Sequence, residues 1–263
     1  RVGLVVSAVT GVTNHLLSSV SEVLSGKPSQ EFVDEFCRVH TAILKDLEPN
    51  IDQKLLEKAE EEIVTVAKEF DNLLTGVGLL MECSPSILDH ISSIGERAST
   101  PIIEAILEGN GLTVRRIDPR DYIITDNVFG NASPLMPEIE KRMSPLRDET
   151  WDVLLMPGFF GSTLSGKTTT LGRGGSDYSA AILAAAFQAS TLEIWTDVAG
   201  VFSADPKVAS EAFVLDEMSY PEAMELAFFG AKVLHPRTIA PVVTLKIPTL
   251  IKNTFNPDLP GTL

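Results

Sequence analysis

Three glycines, a cation, a hydroxyl and a carboxylate fall together in Leu171-Gly172-Arg173-Gly174-Gly175-Ser176-Asp177. Soon after comes the small-residue helical run Ala180-Ala181-Ile182-Leu183-Ala184-Ala185-Ala186. A glycine-rich turn that opens a helix can present unpaired backbone N–H groups to an anion. Arg173 adds a planar, permanently charged fork suited to a carboxylate or a phosphate. The competing reading is an ordinary loop capped by Ser176 or Asp177, because glycine-rich loops are common.

Other stretches carry chemistry less specifically. Ser7 and Thr13 offer hydroxyls in the turn Ser7-Ala8-Val9-Thr10-Gly11-Val12-Thr13-Asn14, where caps and turn formers are the commoner role. Gly95-Glu96-Arg97 sits inside a helical pattern in which a glycine is costly, which hints at close backbone packing. His235 lies beside Pro236 and reads as a structural histidine rather than a base. Residues 161–168 satisfy the phosphate-loop pattern GxxxxGK[ST] with Lys167 and Thr168. A true phosphate loop starts its helix near that lysine. Here Thr168-Thr169-Thr170 is a β-branched run ending in Leu171-Gly172, which favours strand, so the spacing predicts a hairpin over 160–171.

The elements that must position these residues alternate between strand and helix. Leu4-Val5-Val6 is a short buried strand, followed by a turn and the helical spacing Leu16, Leu17, Val20, Val23, Leu24. Residues 30–80 read as a helical insertion divided at Pro49-Asn50, with no concentration of chemistry, and 85–107 as a further helix. Strands follow at 113–118 and 122–126, and a helix at 137–143. Residues 152–157 form a strand whose turn carries Phe159, 178–189 a helix, and 192–197 a strand ending in Thr196-Asp197. Ser219 caps a helix from Pro221, another begins near Pro236, 247–253 is a last strand, and 256–262 reads as a linker. Such alternation implies a mostly parallel sheet covered on both faces, with ligands at the carboxyl ends of its strands.

Composition narrows the function. Hydrophobic residues make up 44% of the 263, so a large core is available. No apolar run is long enough to span a membrane. Cys37 and Cys83 alone suggest neither a disulfide framework nor a zinc cluster, and a cytoplasmic protein is the natural reading. A net charge of −15 argues against nonspecific nucleic-acid binding, while leaving room for a small anion held by a few converging cations. Glu60-Glu61-Glu62 is a solvated helix face.

Five blocks then occur in one order: 7–14, 94–97, 168–177, Trp195-Thr196-Asp197-Val198 and 229–236. Together they resemble aspartate kinase. The resemblance implies the amino-acid-kinase fold, a three-layer α/β/α sandwich, with residues 1–263 as a single catalytic domain. It also implies phosphorylation of the aspartate side-chain carboxylate by ATP with Mg2+, the first step towards lysine, threonine and methionine. By resemblance Ser7, Thr13, Glu96, Phe159, Arg173, Gly174, Gly175 and Ser176 hold aspartate, while Thr196, Asp197, Phe202, Lys207, Lys232 and Val233 line the nucleotide. Asp177, Lys232 and Arg173 would be catalytic, Asp177 by orienting lysines around the phosphoryl group, with magnesium held mainly through ATP oxygens and no dedicated metal ligand.

The family's opening Lys-Phe-Gly-Gly-Thr-Ser motif and its C-terminal ACT regulatory region are both expected to be absent from this chain, and with the latter feedback inhibition by lysine or threonine. Phe202 stands where the family usually has Tyr, and Lys207 where it usually has Arg, which implies weaker nucleotide binding. Alternatives are a noncatalytic amino-acid or nucleotide sensor, and an amino-acid kinase with another substrate. No nucleic acid or membrane is expected as a partner, and a homodimer is a candidate assembly.

Overall fold

A computed structural model describes residues 1–204, 208–209, 211–228 and 236–263. The chain divides into two compact units, Arg1–Ser176 and Asp177–Leu263.

In the first unit β1 (Val2–Val6), β2 (Val114–Arg116) and β4 (Val153–Pro157) form a parallel sheet in the order β1-β4-β2. The central β4 is buried along its whole length, as expected of a strand written as an unbroken apolar run. Its register with β1 pairs Val2 with Val153 and Val6 with Pro157, so both strands end at one edge. β3 (Ile124–Thr125) pairs in parallel with β5 (Phe160–Thr163), and β5 turns back antiparallel onto β6 (Thr168–Thr170). The expected hairpin is therefore present. Lys167 is exposed at its turn, and no helix starts there.

Four helices build the core of this unit. α1 (Val12–Leu24) follows β1, and α2 (Gln30–Leu47) and α3 (Gln53–Leu80) are the expected helical pair, broken at 48–52. Asp52 caps α3 by accepting a hydrogen bond from the Lys54 N–H at 2.9 Å. α4 (Pro85–Gly109) starts with Ser84 as its cap and Pro85 in its first turn, a favourable pairing. Leu16 of α1, Phe36 of α2, Phe70 of α3 and Ile94 of α4 meet in one buried cluster, with the two phenylalanine rings 5.5 Å apart. α5 (Pro119–Tyr122) and α6 (Met136–Met143) complete the unit.

α7 (Gly175–Phe187) runs from the end of the first unit into the second. There β7 (Leu192–Thr196) and β8 (Thr249–Asn253) pair in parallel, accompanied by α8 (Tyr220–Phe228) and α9 (Pro236–Leu245). Ser219 caps α8 as expected, and its hydroxyl and N–H both donate to Glu222, a reciprocal capping box. The core joins Ala181, Leu192, Ile194, Ile239, Val242 and Ile251.

One expectation is corrected. Residues 256–262 are not a free linker, because Thr262 is buried and bridges antiparallel to Ile251. Its hydroxyl accepts from the Val201 N–H and donates to the Leu215 carbonyl, which fastens the segment into the second unit. The turn-forming composition of this stretch masked a single long-range pairing. Among the described residues no helix is long and apolar enough to cross a membrane.

Candidate active site

The carboxyl ends of β1 and β4 adjoin, and there the candidate residues of the first unit gather. The Gly158 N–H donates to the Val6 carbonyl at 2.8 Å, which brings Ser7 and the 158–159 turn side by side. Gly158 is required by close approach. A Cβ there would stand 2.8 Å from Val5 Cγ1 and 2.9 Å from the Ser176 backbone. Phe159 holds a left-handed backbone, φ 76°, at a cost of order 1–3 kcal/mol for a non-glycine residue. Its Cα packs on Gly175, and its carbonyl accepts from the Leu171 N–H at 2.8 Å. The backbone of 158–159 thus grips both ends of the 171–176 turn. Gly172 and Gly174 adopt φ of 80° and 66°, which allows the turn to fold tightly.

α4 supplies the other wall. The Ser99 hydroxyl donates to the Ser7 carbonyl at 2.8 Å, and Gly95 faces Ala8. Glu96 is 4% exposed, and its Oε2 is buried and accepts no hydrogen bond. Burial pushes its carboxyl up to about 7, against backbone N–H donors that include Ala8. A buried carboxylate with an unused oxygen is suited to a compact cation that brings its own N–H donors. Thr13 is half-buried in the first turn of α1, whose neighbour Val12 packs beside Gly95. Arg173 is exposed.

Arg97, next to Glu96, makes two hydrogen bonds to Glu69 of α3, at 2.9 and 2.5 Å. His90 of α4 bonds to the same carboxylate at 2.5 Å. These two partners, His90 first, hold the Glu69 carboxyl well below its usual range. Arg97 is therefore no free surface cation: it locks the helical pair to the site helix.

In the second unit burial pushes the Asp177 carboxyl, in the first turn of α7, up to about 6. Thr196 ends β7 and donates its hydroxyl to Asp197 at 3.2 Å, while the Asn253 side chain donates to the Asp197 carbonyl. Phe202 is half-buried and bridges to Val214. Lys207, Lys232, Val233 and His235 lie outside the described residues. Among the described residues, no group of three His, Cys, Asp or Glu side chains is arranged to hold a metal ion.

Ser7, Glu96, Phe159, Gly175 and Ser176 are thus brought together in the first unit, and Thr196 stands beside Asp197 in the second. Reading by motif passes over Asp89, Ser99 and Glu69. A signal for Asp89 does exist: it interrupts Ile87-Leu88-Asp89-His90-Ile91 seven residues before Glu96, an acid on an apolar helix face that needs a partner.

Residues 1–253 match the model of the amino acid kinase family. The chain belongs to that family. The relatives it matches include aspartokinases. The chain is 37% identical over 265 residues to lysine-sensitive aspartokinase 3 of Escherichia coli, covering 99% of this chain and 56% of that protein. It is also 37% identical over 268 residues to the bifunctional aspartokinase/homoserine dehydrogenase of Buchnera aphidicola, covering 100% of this chain and 32% of that one. The structure of E. coli aspartokinase III in complex with lysine and aspartate superposes with a TM-score of 0.85 at 35% identity, over 99% of this chain and 57% of that one. The same enzyme in complex with aspartate and ADP gives 0.82 at 36% identity, over the same shares of the two chains. The α/β fold is accordingly the amino-acid-kinase fold expected from the sequence. This chain spans from about a third to just over half the length of these curated relatives.

Proposed function

We propose that the chain transfers the γ-phosphoryl group of ATP to the side-chain carboxylate of L-aspartate, giving 4-phospho-L-aspartate, the first step towards lysine, threonine and methionine. The observation that carries the reading is Glu96, a buried carboxylate with one oxygen lacking a hydrogen bond, on the helix that walls the β1–β4 edge. Glu96 pairs with the substrate ammonium. Arg173 takes the α-carboxylate through its fork, helped by the Thr13 hydroxyl and the backbone of Gly174, Gly175 and Ser176. Ser7 and Phe159 line the same edge.

The side-chain carboxylate is ionised and already a nucleophile, so no general base is needed. One of its oxygens forms a bond to the γ-phosphorus as the bond from phosphorus to the β–γ bridging oxygen breaks, and ADP leaves with that electron pair. Little covalent chemistry falls to the protein, which leaves positioning and charge neutralisation as its work. Positioning in such reactions contributes roughly 7–11 kcal/mol. Thr196, Asp197, Phe202, Lys207, Lys232 and Val233 line the nucleotide, and Asp177 orients lysine side chains at the phosphoryl group. Magnesium bound to the nucleotide phosphates would supply further charge neutralisation, held mainly through ATP oxygens with no dedicated protein ligand. Residues 1–263 act as one catalytic domain, with the 30–80 helical pair as scaffold.

The test is ATP with L-aspartate, L-glutamate, N-acetylglutamate or UMP, trapping any acyl phosphate with hydroxylamine. Aspartate alone should yield hydroxamate and ADP together. Binding of both ligands without ADP formation would replace the kinase by a sensor. Turnover of another panel member would replace the substrate.

A further inference from the structure

Asp89 of α4 is 3% exposed and has no part in the substrate contacts above. It accepts three hydrogen bonds, each 2.8 Å long: from the Gly130 N–H and the Thr170 N–H at Oδ2, and from the Thr170 hydroxyl at Oδ1. Thr170 ends β6, one residue before the turn that presents Arg173. The loop at 130–132 is the other side of the same joint. The Ala132 N–H donates to the Thr170 carbonyl at 2.9 Å, and a Cβ on Gly172 would lie 2.8 Å from Asn131 Oδ1. A single buried carboxylate therefore fastens the entry of the Arg173 turn to α4 and to the loop behind it.

Asp89 and Glu96 are seven residues apart on this helix. Seven residues make about two turns, so the two acids share a face at a separation of about 10 Å along the axis. We propose that Asp89 is a positioning residue that sets the distance between Glu96 and Arg173. One rigid helix then carries the group that reads the substrate ammonium and, two turns earlier, the group that anchors the reader of its α-carboxylate. The span between those two substrate groups is fixed by covalent geometry, so a small displacement of the turn costs binding and rate together. The inference rests on the aspartate reading of Glu96 and Arg173, and its test separates the two.

Asp89→Ala removes all three acceptors, whereas Asp89→Asn can keep them. Its Oδ1 accepts from both N–H groups, and its Nδ2 donates to the Thr170 hydroxyl in reverse. In steady-state assays with hydroxylamine trapping, Asp89→Ala should raise the KM for aspartate at least tenfold and lower kcat, with the KM for MgATP within about twofold. Asp89→Asn should stay within about threefold of the parent in every constant. Equal rises in both KM values for Asp89→Ala, or an Asp89→Asn variant as poor as Asp89→Ala, would overturn a geometric role. Should Asp89→Ala not fold, Thr170→Val, which removes one of the three bonds, should raise the aspartate KM about threefold, and no change would count equally against the proposal. Amide hydrogen exchange supplies an arm that needs no activity. Protection at Thr170, Gly130 and residues 171–176 should fall in Asp89→Ala or Thr170→Val relative to Asp89→Asn, and unchanged protection refutes the anchor. A parent protein inactive on aspartate, yet losing this protection on mutation, would remove the substrate reading and leave the anchor standing.

Discussion

Gly95 and Ala8 approach so closely that a Cβ on Gly95 would stand 2.8 Å from the Cβ of Ala8, and 3.3 Å from Val12 Cγ1. The contact joins α4, one residue before Glu96, to the turn that follows β1. It makes the glycine that helix propensity disfavours the residue that lets the site close.

Gly95→Ala sets two effects against each other. A helix interior gains about 1 kcal/mol from the exchange, while overpacking a tight contact costs about 1–3 kcal/mol. The neighbouring atom is a Cβ tied to the backbone rather than a flexible tip, so overpacking should win. We expect a net loss of about 1 kcal/mol in denaturant unfolding and a raised KM for aspartate, because Ala8 moves away from Glu96. A stabilised variant with an unchanged KM would contradict this.

Glu96 makes stability and binding depend on pH in opposite senses. Its folded value of about 7 lies above its ordinary 4.5, so the folded protein holds this proton more tightly than the unfolded chain. The resulting stability is fully present below about 4.5 and is lost as pH rises through about 7, an effect of about 3 kcal/mol for a group this buried. Aspartate needs the ionised form, so its affinity should rise over the same window. Thermal midpoints with and without aspartate, from pH 5 to 8, measure both trends. Glu96→Gln should shrink both trends, leaving the smaller stability change of the Asp177 carboxyl, which burial also raises, to about 6. A parent-like pH profile in that variant would exclude Glu96 as the main source.

Arg173→Lys keeps the charge and loses the planar fork. The KM for aspartate should rise roughly tenfold or more, in line with a loss of about 1.4 kcal/mol or above, with the KM for ATP changed less than threefold. Equal losses in the two constants would assign Arg173 to phosphate instead.

Lys167→Ala tests the decoy. Lys167 sits exposed at the turn of the β5–β6 hairpin rather than at a helix start, so nucleotide affinity should change less than twofold. A tenfold loss would restore a phosphate-loop role.

Much of this molecule is legible in one dimension because much of it is locally encoded. The apolar run of β4, the helical spacing at 30–80, the capping box at Ser219–Glu222 and the β-branched Thr168-Thr169-Thr170 each declare their element within a few residues. The ordered blocks around Glu96, Arg173 and Thr196 likewise name the candidate site, because side-chain type and spacing are properties of the sequence. What only the tertiary structure decides is which distant groups meet. Asp89 reaches Gly130 and Thr170 across 41 and 81 positions, Glu69 reaches Arg97 across 28, and Thr262 reaches Val201 across 61. No local pattern marks such a partner, since a buried polar group is satisfied by whatever the fold brings within 3 Å. The same burial that hides Glu96 from water makes its carboxyl hold a proton more tightly than a glutamate in the unfolded chain would.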